Sequence, residues 1–311
     1  MIAVKGGNVM KKTLFIGSTV LDMVVELPHL PSLKEDINTS AMNAALGGCS
    51  YNASSIAHHL SLPYIHCSPC GEGFFAECIK QLLAAQNRRP FVCIPSLDNG
   101  CCLCLVDEHG ERTFISHHGA EYLFDIEWLK DLHEDWDMIY VCGLEIEEKT
   151  GEALIQYLNE SAQAEIVFAP GARIDKIQPE RLQAMFQLRP ILHLNDDEAL
   201  AYTSSKTVNE AADKLYHLTH NTVIITCGSD GAYLKNNDEE KLIAGFKADV
   251  IDTIGAGDSH IGAWICAKKL GMNDSEAIRF ANYVAAETVS TKGPALSEQS
   301  YAKIKAYLQE M

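Results

Sequence analysis

From residue 137 onward the chain alternates short apolar runs with segments of helical apolar spacing. That alternation restricts the fold more than any other feature of the sequence. Residues 137–142, 165–169, 191–194 and 222–226 read as strands. Residues 149–162, 179–186, 196–203 and 209–219 read as helices. The runs are apolar throughout, as expected of strands covered on both faces. Strand–helix alternation then predicts an α/β fold: a mainly parallel sheet between two helical layers, a three-layer αβα sandwich. Ligands of such sheets bind beyond the C-terminal strand ends. Gly17, Leu144-Glu145, Asn195 and Gly228 all fall at such ends.

The first third is less regular. Residues 13–18 read as a buried strand ending in Gly-Ser, 64–68 as another, and 52–60 and 75–86 as helices. Residues 23–27 form a strand stopped by Pro28 and Pro31, and 38–45 carry weak strand character. Residues 101–106 and 112–116 flank Asp107-Glu108-His109-Gly110, a hairpin signal. With both polar and apolar faces, these strands read as a small β lid over the main sheet, made of about residues 22–45 and 100–119. His117 and His118 read as a polar strand end. Residue 232 opens a last strand, to 235, and helices follow at 261–270, 274–288 and 297–310. No repeat or low-complexity linker divides the chain, so residues 1–311 read as one domain with its lid.

A net charge of −17 repels phosphate backbones and anionic lipid, which excludes nucleic-acid and membrane-surface binding as expected roles. No apolar run approaches membrane-spanning length. The stretch before Met10-Lys11-Lys12 lacks the pattern of a signal peptide and reads as an extension, so the expected compartment is the cytoplasm. The eleven cysteines are then expected as reduced thiols. Cys67-Ser68-Pro69-Cys70 and Cys101-Cys102-Leu103-Cys104 read as small apolar residues rather than zinc ligands.

The chemistry concentrates at Ile251-Asp252-Thr253-Ile254-Gly255-Ala256-Gly257-Asp258-Ser259-His260. Two glycines around one alanine exclude helix interior there, while the following residues have helical apolar spacing. A Gly-rich turn therefore feeds a helix N-terminus, where free N–H groups and the positive end of the dipole suit a phosphate-sized anion. Asp258 sits at the same place. A carboxylate beside an anion site makes sense if it takes a proton from an attacking hydroxyl while the amides stabilise the transferring phosphoryl charge.

The run from Asp252 to Ala263 resembles the second signature of the ribokinase-like (PfkB) carbohydrate kinase family. Gly47-Gly48-Cys49-Ser50-Tyr51-Asn52 is on its own a turn before a helix; beside the later motif it resembles the family's first signature, a sugar-binding Gly-Gly-x-x-x-Asn. Asn195-Asp196-Asp197-Glu198 is on its own a helix-capping pattern. The likeness extends from Gly17 to Ser297 and implies the ribokinase-like fold and ATP-dependent phosphorylation of a hydroxymethyl group. It makes Asp258 the base and Gly255, Ala256 and Gly257 the anion hole. Asp22, Gly47, Gly48, Asn52 and Glu145 would face the acceptor. Asn195, Thr226, Gly228, Gly231 and Asn282 would lie by the nucleotide, with Glu198 near Mg²⁺. The resemblance also implies a monovalent cation, K⁺, at Asp252, Ile254, Thr288, Thr291, Gly293 and Ser297, and a homodimer joined through the lid. The pattern departs from ribose-specific members at Val20, where they carry Asn, and at Cys49-Ser50-Tyr51, where they carry Lys-Gly-Ala. The acceptor therefore stays open between a sugar and a nucleoside of the pseudouridine or adenosine type. A non-catalytic metabolite-binding relative is the remaining alternative, and an intact Gly-Ala-Gly-Asp argues against it.

Overall fold

The computed structural model describes residues 10–130, 132, 135–161, 163–291, 293 and 296–311. The expected N-terminal extension, Ala162 at the end of one expected helix, and Lys292 and Pro294 of the expected cation loop lie outside the described residues. In chain order the strands are β1 (Lys12–Ile16), β2 (Val20–Glu26), β3 (Ala41–Gly47), β4 (Tyr64–Cys67), β5 (Pro69–Cys70), β6 (Val92–Cys93), β7 (Cys101–Val106), β8 (Arg112–His117), β9 (Trp136–Cys142), β10 (Glu165–Ala169), β11 (Ile191–Asn195), β12 (Val223–Thr226), β13 (Gly231–Lys235) and β14 (Glu240–Ala244). The helices are α1 (Cys49–His59), α2 (Phe74–Ala85), α3 (Glu127–Lys130), α4 (Gly143–Glu147), α5 (Gly151–Glu160), α6 (Pro179–Gln187), α7 (Asp196–Thr203), α8 (Val208–Thr219), α9 (Ala256–Lys269), α10 (Asp274–Val289) and α11 (Glu298–Glu310).

The main sheet runs β14-β13-β12-β11-β10-β9-β1-β4. It is parallel from β4 through β12, and β13 and β14 close its edge antiparallel. Successive side chains of a strand point to opposite faces, and the core divides accordingly. Leu14 and Ile16 of β1 join Ile139, Val141 and Phe168 in one cluster, which α5, α6, α7 and α8 cover. Phe15 joins Tyr140, Val167 and Ile224 in the other, under α1, α9, α10 and α11. The expected three-layer sandwich follows from this two-sided burial. The chain leaves β1 for β4 on one side and later returns to β9 on the other, so the strand order reverses beside β1. The C-terminal ends of β1 and β9 lie in register there, Ile16 opposite Val141. A crevice at such a reversal is the usual ligand site of an open α/β sheet.

A second sheet, β3-β2-β7-β8, contains the expected hairpin. Asp22 lies beside Cys102, and Cys102 beside Ser116, on one face. Met23, Leu103 and Ile115 occupy the corresponding row on the opposite face.

Two helical expectations are corrected. Helix α9 begins at Ala256, not at 261, so Gly257 and Asp258 lie inside its first turn. It also has no polar face in its middle, where every residue from Ser259 to Ala267 is buried. Tertiary packing around residues 259–267, rather than local propensity, holds this stretch helical. Strand β14 was not anticipated; as a mostly exposed edge strand it lacks apolar alternation. The short α4 was likewise hidden inside a strand-to-helix connection.

Candidate active site

The site is built where α1 meets α9. These helices approach so closely at Gly262 that a Cβ there would overlap the Ala53 carbonyl oxygen. The approach brings the first turns of both helices together, and the Asn52 side-chain amide donates to Asp258 Oδ2 at 3.0 Å. Gly255 caps α9 in the left-handed region at φ 73°, which its missing Cβ permits. No side chain caps that helix. The Ala256 N–H reaches only the Thr253 carbonyl, at 3.3 Å. Ala256 and Gly257 line a cleft of about 770 Å³, and a Cβ on Gly257 would touch nothing within 4 Å. The uncapped, dipole-positive end of α9 thus borders a cleft large enough for a nucleotide.

Carboxylates gather at the same crevice. Glu145, in α4 just beyond β9, is buried; its Oε1 accepts the Ser18 N–H at 2.9 Å, and the Cys142 thiol donates to Oε2 at 2.6 Å. Gly17 leaves room for it, since a Cβ there would crowd Glu145 Oε1. Gly47 does the same for Asp22, whose Oδ2 occupies the space a Cβ would need. Burial pushes Asp22 up to about 7, with the nearby charge of Asp258 adding to the shift. Burial also raises Asp258 and Glu145; hydrogen bonds from Asn52 and Cys49 hold Asp258 down in part. The crevice therefore gathers three poorly solvated carboxyl groups, each able to make paired hydrogen bonds.

Beyond α9 the cleft continues past Thr226, Gly228 and Gly231 to Asn282, and residues 245–250 line it as well. Asn282 is already engaged: its amide donates to the Ile243 and Ala244 carbonyls and its Oδ1 meets His260 Nε2 at 3.0 Å. His260 Nδ1 in turn lies 3.0 Å from His193 Nε2. Burial pushes His260 down to about 4, so this buried chain is neutral at pH 7.

A sequence profile of the pfkB family carbohydrate kinases matches residues 10–300. The chain belongs to the pfkB family. It is 28% identical over 288 residues to the uncharacterized sugar kinase YegV of Escherichia coli (strain K12), covering 91% of this chain and 90% of that one. The fold matches that of Arabidopsis thaliana ribokinase complexed with ribose and ATP at a TM-score of 0.78, with 20% identity over 95% and 99% of the two chains. It matches the Burkholderia thailandensis nucleoside kinase in complex with inosine at 0.78, with 21% identity over 96% and 98%. As a pfkB family member the protein is a phosphotransferase acting on a hydroxyl group, a sugar or nucleoside kinase of ribokinase-like fold.

The motifs that carried the family resemblance are brought into one crevice: Gly47–Asn52 by α1, Glu145 by α4, and Gly255–Asp258 by α9. Asn195 and Glu198 form a reciprocal capping box on α7: Asn195 Oδ1 accepts the Glu198 N–H at 2.8 Å, and Glu198 Oε2 accepts the Asn195 N–H at 3.0 Å. Burial raises Glu198, and Asp258 is close enough to contribute. Tyr51 is turned away from the crevice. It is buried against α2, its hydroxyl donates to Gln86 Oε1 at 2.7 Å, and the Arg88 guanidinium lies 4.6 Å above its ring. It packs against a helix. Asp252 is buried; Oδ1 accepts the Ile254 N–H at 2.8 Å and Oδ2 the Gly293 N–H at 2.9 Å.

Three contributors were missed from sequence. The wall at 245–250 follows the unforeseen β14. The His193–His260 pair joins positions far apart in the chain. Arg112 of β8, whose guanidinium lies 3.0 Å from Asp252 Oδ1, sits in an unremarkable hairpin sequence. Only His260 carried a signal, as a polar residue within an otherwise apolar helix stretch.

Proposed function

We propose that this kinase transfers the γ-phosphoryl group of ATP to a hydroxymethyl group of a sugar, with Asp258 as general base. The observation that carries this reading is the position of Asp258: in the first turn of an uncapped helix bordering a nucleotide-sized cleft, 3.0 Å from the amide of Asn52. The acceptor lies between Asp22, Gly47, Gly48, Asn52 and Glu145. Its hydroxyl oxygen attacks the γ-phosphorus as the O–H proton passes to the Asp258 carboxylate. The bond to the β,γ-bridging oxygen breaks, and ADP leaves. The N–H groups of Gly255, Ala256 and Gly257 stabilise the charge on the moving phosphoryl group. Thr226, Gly228 and Gly231 border the nucleotide.

A divalent cation fits the donor set, because burial first and the nearby Asp258 charge second raise Glu198, and a positive charge there would relieve both. Glu198 and Asn195 would hold Mg²⁺, which would neutralise phosphate charge during transfer. A sugar rather than a nucleoside is favoured by Tyr51, whose inward packing leaves acidic and amide groups at the acceptor side. The small sheet acts as a lid over the acceptor. Two exposed apolar residues on one of its faces, Ile115 at 54% exposure and Met42 at 60%, support a homodimer joined through it. Eleven unpaired thiols support a cytoplasmic location.

The test is a panel of pentoses, hexoses, deoxyribose, inosine, adenosine and pseudouridine with ATP and MgCl₂, read by ADP release and product mass. A sugar monophosphate is the expected product. Nucleotide products alone would replace the acceptor class. Binding of a panel member without ADP release in any reaction would remove the catalytic reading.

A further inference from the structure

The residues that the family resemblance assigns to a monovalent cation do not fit one here. Asp252 supplies the only carboxylate of that set, and its charge is already met by the Arg112 guanidinium at 3.0 Å. Both oxygens also accept backbone N–H groups, from Ile254 and Gly293. The hydroxyls are engaged with nearby backbone: Thr288 donates to the Val284 carbonyl at 2.9 Å, Thr291 donates to the Glu287 carbonyl at 3.1 Å, and Ser297 accepts the Ser300 N–H at 3.0 Å. Asp252 is 7% exposed and Arg112 is 23% exposed, so the pair is largely withdrawn from water, where a charge pair is strong and the loss of one partner is expensive.

We propose that Arg112 is a built-in cation and a latch: it takes the place of a monovalent ion at Asp252 and fastens the small sheet to the loop that forms the anion hole. Arg112 lies on β8, beside Val106 of β7. Asp252 stands three positions before Gly255, the cap of α9, and its Oδ1 holds the Ile254 N–H inside that turn. One guanidinium therefore joins the strand layer covering the acceptor to the backbone that meets the phosphoryl group. Closure of the lid and ordering of the anion hole become one event. A free ion at Asp252 would order the loop without regard to the lid, whereas Arg112 does so only when the lid is down. Arg112 is on this view a positioning residue. The inference rests on the proposed kinase reading, yet its first two measurements need no turnover, so either can fail alone.

The first measurement is thermal unfolding of the parent, Arg112→Ala, Arg112→Lys and Arg112→Ala/Asp252→Asn proteins in KCl and in tetramethylammonium chloride at equal ionic strength. The parent melts at the same temperature in both salts. Arg112→Ala is less stable than the parent and is raised by about 4 °C in about 100 mM KCl over the bulky cation, because the vacated carboxylate now takes K⁺. The double variant loses that difference, and Arg112→Lys restores the parent's indifference. The second is amide hydrogen exchange across 101–117, which speeds up about tenfold in Arg112→Ala as the lid loses its fastening. With the acceptor found by the panel, Arg112→Ala has a raised KM for acceptor and a lowered kcat, both partly recovered by KCl, while the parent rate is the same in either salt. The proposal is overturned if K⁺ stabilises or activates the parent as much as it does Arg112→Ala. It is equally overturned if Arg112→Ala shows neither K⁺ selectivity nor faster exchange.

Discussion

Asp22 stands out among single residues because its position works against stability. It is pushed up to about 7 from an ordinary 3.8 by burial first and by Asp258 second. Below its ordinary value Asp22 is protonated in both folded and unfolded chains. As pH rises the unfolded chain loses that proton first, so the stability tied to this group is fully present at low pH and is lost as pH climbs through about 7. Asp22→Asn should therefore gain stability over the parent between about pH 4 and about pH 7 and then hold a plateau, on the order of a few kcal/mol. Urea midpoints of both proteins at about pH 4.5 and about pH 8 check the sign, and a constant difference would contradict it. The same variant should raise KM for the acceptor. A second residue tunes the proposed base: the Asn52 amide holds Asp258 down. Asn52→Leu should move the acid limb of the rate profile to higher pH, because the carboxylate must be ionised to take a proton. An unmoved limb would mean that Asp258 does not control the profile.

Among the elements, α1 and α9 decide the site, and Gly262 decides how close they come. A Cβ at this position meets the Ala53 backbone, which cannot rotate aside. Gly262→Ala should cost about 1–3 kcal/mol of stability and lower kcat together, since the same approach joins Asn52 to Asp258. Stability and kcat both unchanged in the variant would show that the helices can give way. The two helices were legible from sequence to different degrees. Residues 52–60 have a periodic apolar pattern and gave the body of α1. The start of α9 was obscured because Gly257 sits inside the first turn and because the buried stretch from Ser259 to Ala267 that follows has no polar face. The parallel strands read clearly because burial on both faces makes them continuously apolar. Edge strand β14, exposed along most of its length, carried no such signal.

Over the whole molecule, local motifs were readable and long-range pairings were not. Gly255–Asp258 identifies itself within a few residues, Gly47–Asn52 becomes readable only beside it, and the two meet through the Asn52–Asp258 hydrogen bond next to the end of β1. The Arg112–Asp252 and His193–His260 contacts depend on how separate layers dock, which no local spacing encodes. The homodimer is a prediction of this scale too. On the face of the small sheet that holds the Met23, Leu103 and Ile115 row, Ile115 and Met42 are exposed, while Met23 packs against the cluster beside α2. Light scattering at about 50 µM should give twice the chain mass, and Ile115→Lys should give the monomer. A parent that stays monomeric would leave that row unexplained. The central claim, that Asp258 is the base of a phosphoryl transfer, is tested most directly by Asp258→Asn. Asn keeps the shape of the side chain and removes its capacity to take a proton. With the panel's acceptor, kcat should fall by about 10²–10⁴ while calorimetric ATP affinity stays the same or improves, a negative charge having left the phosphate site. A kcat within a few-fold of the parent would contradict the account.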